Sequence, residues 1–107
     1  MHPSRMIEIL IFYRGRPYDL NMYHSVPLVY DTAELGEHAR RARQAKGFHQ
    51  DDLASRIGVS RMTISRLERG ESVSIDIALR ALSECGVALA LVPKFSRVKV
   101  IDGNQDT

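Results

Sequence analysis

Apolar residues recur three or four positions apart in the middle of the chain, which is the spacing of one helix face. The first such run contains Leu35, Ala39, Ala42 and Ala45. It follows Asp31, which can cap the first turn while Glu34 reaches back to complete a capping box. Gly47 follows the run, and glycine commonly ends a helix because it adopts the left-handed conformation. The pattern predicts a first helix between Asp31 and Gly47.

Two shorter helices with a tight turn between them are predicted next. The second helix starts near Gln50, with two aspartates where the positive end of the helix dipole favours carboxylates. Its buried stripe consists of Leu53, Ala54 and Ile57. Gly58 ends it, and Ser60 is a good N-cap for a third helix that ends at Gly70.

A fourth helix and a continuous apolar run follow. Ser74 caps this helix and Gly86 follows its end. The face predicted to be buried contains Ile75, Ala78, Leu79 and Leu82. The predicted one-turn ion pairs are Asp76 with Arg80 and Arg80 with Glu84. Residues 87–92 are all apolar, too few for another helix and bounded by Gly86 and Pro93, so they are predicted to form a strand.

The first thirty residues are typical of an arm with short strands. Residues 7–13 and 26–30 are rich in strand formers and flank a predicted turn at residues 14–19, as in a hairpin. Met22 precedes the second run, so residues 1–21 are either part of the arm or a poorly ordered extension from an upstream start codon. The predicted organisation is an arm at 1–30, a helical domain at 31–86, a strand at 87–92 and a flexible tail at 93–107. The predicted fold is mainly α, with about four helices, a short C-terminal strand and an N-terminal β arm.

The composition fits one small globular domain of the reduced cytoplasm. The chain has 107 residues, of which 44% are hydrophobic. Cys85 is the single cysteine, which excludes an intrachain disulfide, and no Cys/His cluster has metal-ligand spacing. The apolar run at residues 9–13 is too short, and its flanks too charged, for a signal peptide or a membrane span. We therefore predict no metal, no cofactor and no membrane partner.

Charge and motifs argue against an enzyme and leave nucleic acid open. The net charge is only +2, and residues 31–70 hold eight basic and six acidic residues. No serine stands in a nucleophile-elbow setting, and there is no phosphate-binding glycine loop. We predict that the chain is not an enzyme.

The second and third helices, joined by a short turn containing Gly58, have the sequence form of a helix-turn-helix. At 100° per residue, one side of the third helix carries Thr63, Ile64, Leu67 and Glu68. The opposite side carries Arg61, Met62, Ser65, Arg66 and Arg69. The second side suits the major groove of DNA, because Arg can bind guanine bidentately and Met can touch a thymine methyl. Arg69, at the helix end, is placed to meet phosphate.

Residues 34–86 resemble the Cro and lambda-repressor-like (XRE-type) helix-turn-helix family. The matching positions are Arg43, Gly47, residues 50–54, residues 57–60 and residues 63–70. The resemblance implies that Gln50 and Ser60 touch the DNA backbone and that Arg61, Met62 and Arg66 read bases. It also implies a structural ion pair between Arg43 and Glu68. His49 departs from the family pattern, which has Thr or Ser at this N-cap.

The fourth helix, Gly86 and residues 87–92 resemble HipB-like antitoxins, in which a strand after the helical domain pairs between protomers. The resemblance implies a homodimer joined through Val87, Leu89 and Leu91, a palindromic operator in double-stranded DNA and a HipA-like kinase toxin as partner. From the residues alone, residues 7–13 or 26–30 of the same chain are alternative partners for this strand, since an unpaired apolar edge would aggregate.

Three functions remain at this point. The first is a dimeric, sequence-specific repressor that is the antitoxin of a HipA-like kinase and represses its own operon. The second is a stand-alone prophage-type or metabolic transcriptional regulator without a toxin partner. The third is a protein-interaction module that uses the fold without DNA.

Overall fold

The computed structural model describes residues 5–11 and 26–102. The elements in this part are β1 (Arg5–Ile11), α1 (Thr32–Ala45), α2 (Gln50–Ile57), α3 (Arg61–Glu68), α4 (Ile75–Glu84) and β2 (Ser96–Asp102). The chain divides into a helical unit, residues 29–90, and a second unit formed by residues 1–28 and 91–107. The predicted fold, mainly α with a short C-terminal strand, is confirmed. No helix within the described residues is long and apolar enough to cross a membrane.

Side chains accept backbone N–H groups at the starts of the four helices of the described region. The bonds are Asp31 Oδ1 to the Glu34 N–H (2.8 Å), Ser60 Oγ to the Thr63 N–H (3.2 Å) and Ser74 Oγ to the Ile77 N–H (3.2 Å). Ahead of α2, the Asp52 carboxylate accepts the backbone N–H of His49 at 2.7 Å. The predicted capping box would bind the Glu34 carboxylate to the N–H of Asp31. The carboxylate instead accepts the N–H of the preceding residue, Tyr30, at 3.2 Å. Each bond satisfies a donor that the first helical turn cannot.

All four helices end in the same backbone motif. A glycine with φ between 72° and 81° follows each helix, and the next residue donates its N–H to a carbonyl five residues earlier. These bonds join Phe48 to Arg43, Val59 to Ala54, Glu71 to Arg66 and Val87 to Leu82. The donor is apolar and packs against the core after α1, α2 and α4. After α3 it is Glu71, which is exposed.

The core of the helical unit lies between α1, α2, α3 and α4. Its buried residues are Ala39, Ala42, Leu53, Ala54, Ile57, Ile64, Leu67, Ala78, Ala81, Leu82 and Cys85. The predicted inner face of α4 is wrong at two positions, since Ile75 and Leu79 are 67% and 43% exposed. Ala81 takes part in the core instead. The periodicity cannot fix the rotation of this helix, because apolar residues lie on more than one of its sides.

Polar contacts tie α4 to α2. Arg80 pairs with Asp76 at 3.5 Å, as predicted, and donates to the carbonyl of Ile57. Glu84 does not pair with Arg80 but with Arg56 of α2, at 3.1 Å. The spacing of one turn permitted the second predicted pair, but Glu84 instead binds an arginine of the neighbouring helix.

The strand predicted at residues 87–92 is wrong in position. Those residues have no strand, and β2 lies at residues 96–102, within the predicted flexible tail. The backbone of Val87 belongs to the end motif of α4, with its N–H bound to the Leu82 carbonyl at 3.0 Å, and its side chain packs against the core. A turn containing Phe95, with φ of 66°, directly precedes β2.

The second unit contains a parallel pair of strands instead of the predicted hairpin. β1 and β2 pair from Arg5 opposite Ser96 to Ile11 opposite Asp102. Residues 26–30 form no strand, although the Val26 N–H binds the Val98 carbonyl at 3.2 Å. The hairpin prediction was wrong because strand formers also occur later in the chain, at Val98 and Val100. These residues belong to β2, which pairs with β1 although it is distant in sequence. The predicted turn at residues 14–19, Met22 and residues 103–107 lie outside the described residues.

Candidate nucleic-acid interface

The outer face of α3 is formed by the side chains that the helical wheel assigned to it. Ile64 and Leu67 point inward and are buried in the core. Arg61, Met62, Arg66 and Arg69 are exposed, and Ser65 is half-buried. α2 packs against α3, and the turn between them contains Gly58 with φ of 72°. Two short helices at a fixed angle thus present a basic helix face to the solvent.

The three arginines of this face differ in their partners. Arg61 Nε lies 3.9 Å from Asp51 Oδ1, and both side chains are mostly exposed, so the pair contributes little energy. Arg69 donates through Nε to Glu71 at 2.6 Å and through Nη1 to Ser65 Oγ at 2.8 Å. In the described part of the chain, Arg66 makes no side-chain hydrogen bond or ion pair. Its guanidinium is therefore the one on this face most available to a ligand.

A buried ion pair fixes the end of α3 to α1. Arg43 binds Glu68 through Nε at 2.6 Å and through Nη2 at 2.9 Å, and its Nη1 donates to the carbonyl of Phe48 at 2.8 Å. The hydrogen bonds that Arg43 donates to the Glu68 carboxylate, together with the negative charge of Glu68, raise the pKa of Arg43, while burial acts in the opposite direction. The ion pair implied by the family resemblance is present.

Gln50 and Ser60 occupy the first turns of α2 and α3, but both have bonds within the protein. The Gln50 amide donates to Glu68 Oε1 at 3.1 Å, which links the start of α2 to the ion pair. Ser60 Oγ caps α3 and lies 3.0 Å from Thr63 Oγ1. Their contacts with a DNA backbone remain predictions.

A glycine that sequence reasoning overlooked sets the distance between α1 and α3. A Cβ on Gly36 would lie 2.5 Å from the Leu67 carbonyl oxygen and 2.6 Å from that of Glu68. A Cβ on Gly70 would likewise lie 2.8 Å from the Cα of Ala33. A glycine inside a helical pattern signals such an approach, and this signal could have identified Gly36.

Comparison with known proteins assigns the family. Residues 40–92 match the family model described as Helix-turn-helix, which includes α2, the turn and α3. This part of the chain belongs to the helix-turn-helix family.

Two curated relatives share the helix-turn-helix region. A protein of Picrophilus torridus is 40% identical over 57 residues, covering 53% of this chain, and one of Pyrococcus furiosus is 46% identical over 46 residues, covering 42%. The names of both class them as HTH-type transcriptional regulatory proteins. The chain spans only 18% and 15% of their respective lengths.

Solved structures of HipB share the fold. In a complex of a HipB variant with an O2 20mer, HipB superposes with a TM-score of 0.61 at 24% identity, covering 65% of this chain and 99% of HipB. A chain of a HipA–HipB–O2–O3 complex gives 0.59 at 23% identity, covering 64% and 97%. At this identity the likeness concerns the fold alone.

The three residues predicted to join two copies of the helix-turn-helix protein have different surroundings. Val87 packs against the core of its own helical unit. Leu89 and Leu91 are exposed, the latter completely. The structure of one chain thus leaves two of the three available to a second copy.

Proposed function

We propose that the protein is a dimeric transcriptional repressor that binds double-stranded DNA through the outer face of α3. The observation that carries the proposal is this exposed face, which the free guanidinium of Arg66 shares with Arg61 and the exposed Met62. Such side chains match the donors and apolar contacts that read base edges in the major groove. The family of residues 40–92 supports the same proposal.

The supports around α3 favour sequence-specific binding. The Arg43–Glu68 pair, the Gln50 amide and the close crossing at Gly36 hold both ends of the two-helix unit in place. Base readout needs such fixed geometry, because a shift of the helix separates bidentate donors from their acceptors. Gln50 and Ser60, at the starts of α2 and α3, are proposed to contact phosphates, while Arg61, Met62, Ser65 and Arg66 face the bases.

The dimer is supported by apolar side chains that a single chain leaves in water. Leu89, Leu91, Ile75 and Leu79 are all exposed. A second copy is the proposed cover for Leu89 and Leu91. Two-fold symmetry would place the two α3 helices about 34 Å apart, or a multiple of it, and match a palindromic operator.

We further propose that this repressor is the antitoxin of a HipA-like kinase toxin, acting in the cytoplasm on its own operon. The fold shared with HipB, which occurs together with HipA in a HipA–HipB–O2–O3 complex, supports this role. The second candidate is a stand-alone transcriptional regulator, favoured by the names of the two curated relatives. Co-expression with the product of the neighbouring reading frame distinguishes them, since only an antitoxin would co-purify with a kinase and abolish its toxicity.

Selection of duplexes from a randomised DNA pool tests the repressor proposal. We expect the full chain to enrich a two-fold symmetric motif whose half-sites are about 10 base pairs apart, or a multiple of this spacing. A pool that remains random after repeated rounds would refute DNA recognition and favour a protein-interaction module.

A further inference from the structure

Glu71 stands where the other three helices of the described region have an apolar residue. Phe48, Val59 and Val87 follow the glycines that end α1, α2 and α4, and each packs against the core. Glu71 makes the same backbone bond after α3, at 2.9 Å to the Arg66 carbonyl, but its side chain is in solvent. The end motif therefore fixes an acidic side chain at the edge of the proposed DNA-binding face.

The carboxylate of Glu71 restrains Arg69. Arg69 Nε donates to Glu71 Oε2 at 2.6 Å, while its Nη1 donates to Ser65 Oγ at 2.8 Å. The hydrogen bond from Arg69 lowers the pKa of Glu71, and the charge of Arg66 acts in the same direction, so the carboxylate is ionised at neutral pH. Two of the three guanidinium nitrogens thus already have acceptors before any DNA arrives.

This arrangement affects both kinds of DNA contact. A guanidinium binds a phosphate most strongly as a fork, and the Nε of this fork is occupied by Glu71. The oxygen of Ser65 accepts from Arg69, so its own hydrogen is free to be donated to another acceptor. The negative charge also repels phosphates near Arg66 and Arg69.

We propose that Glu71 determines specificity by holding Arg69 against Ser65 and withdrawing that positive charge from sequence-independent phosphate binding. This inference rests on the proposed function. Removal of the carboxylate releases Arg69 for phosphate contact, which raises the affinity for any duplex. The affinity for the selected operator rises less, because Ser65 loses its fixed orientation. Glu71 is a positioning residue in this account, and Arg69 is its target.

The test is Glu71→Gln in the full chain, which retains the backbone bond at the end of α3. Affinities are measured by fluorescence anisotropy over a series of salt concentrations, on the duplex selected by the wild type and on a shuffled duplex. We expect affinity for the shuffled duplex to rise about threefold to tenfold, with a salt slope steeper by about one. The specificity ratio, which is the affinity for the selected duplex divided by that for the shuffled duplex, should fall correspondingly. Glu71→Ala should give the same result.

Two controls separate the proposed contact from a general charge effect. Glu84→Gln is a control because Glu84 is also the acidic partner of an arginine in a half-exposed ion pair. Arg56 and Glu84 lie 3.1 Å apart, with side chains 51% and 36% exposed. The side chains of Arg69 and Glu71 are 53% and 50% exposed. It should leave the ratio unchanged. In an Arg69→Ala background, Glu71→Gln should also have no effect on the ratio.

The outcomes distinguish this inference from the proposed function. A wild type that binds both duplexes equally contradicts sequence-specific recognition, and the role of Glu71 with it. A specific wild type whose ratio is unchanged by Glu71→Gln, or changed equally by Glu84→Gln, overturns the role of Glu71 alone.

Discussion

Arg43 and Glu68 are 25 residues apart in sequence, and Nε of the first lies 2.6 Å from Oε2 of the second. Their side chains are only 10% and 4% exposed. Removing one partner leaves a buried charge without compensation, so Arg43→Ala or Glu68→Ala should each reduce the free energy of unfolding by about 3–5 kcal/mol. The double variant should lose much less than the sum, as measured by urea denaturation. Additive losses would contradict the structural role of the pair.

Gly36→Ala should destabilise the protein although alanine favours helices. The new Cβ would meet two backbone carbonyl oxygens of α3 at 2.5 and 2.6 Å, and backbone cannot move aside as a flexible side chain can. We expect a loss of about 1–3 kcal/mol in the free energy of unfolding. Gln44→Ala, at an exposed site on the same helix, is the control and should change stability by less than about 0.5 kcal/mol. A Gly36→Ala protein as stable as the control would show that α1 and α3 can move apart enough to accept the Cβ.

Cys85 should react with Ellman's reagent only when the protein unfolds. The side chain is 2% exposed, and burial raises the pKa of its thiol. The unfolded state therefore ionises first as pH rises, so the thiol's contribution to stability is present below about pH 8.5 and is lost above it. Because the chain has one cysteine, the absorbance reports this site alone. Rapid labelling of the folded protein at neutral pH would contradict the burial.

Leu89→Lys should convert the proposed dimer into monomers and weaken operator binding, because a charge would replace the apolar contact proposed between copies. Sedimentation velocity measures the first effect and anisotropy the second. Ser83→Lys adds the same charge at an exposed position of α4 and should leave the dimer intact. Deletion of residues 1–21, which removes β1, should also leave it intact. A Leu89→Lys protein that stays dimeric, or a truncated protein that dissociates, would place the interface in the N-terminal arm.

The helices could be predicted from sequence because their signals are local. Asp31, Ser60 and Ser74 cap helices within three residues, and the glycines at 47, 58, 70 and 86 end them. The inner side of α3 could also be predicted from sequence, because Ile64 and Leu67 lie on the same side of the helix and both are buried in the core.

The errors concern contacts between segments distant in sequence. The pairing of β1 with β2 joins the two ends of the described chain, and a run of apolar residues does not specify its partner. α4 has apolar residues on several sides, so its rotation depends on the helices it packs against. The contacts of Glu71 with Arg69 and of Gln50 with Glu68 required the positions of side chains on folded helix ends.

The central claim, that the outer face of α3 reads bases, is tested most directly by Arg66→Ala on two duplexes. Affinity is measured by anisotropy on the selected operator and on a shuffled duplex, with Arg41→Ala, on the exposed surface of α1, as the control. Loss of a bidentate base contact should cost about 1–3 kcal/mol on the operator and much less on the shuffled duplex. An equal loss on both duplexes would contradict the claim and assign Arg66 to phosphate alone.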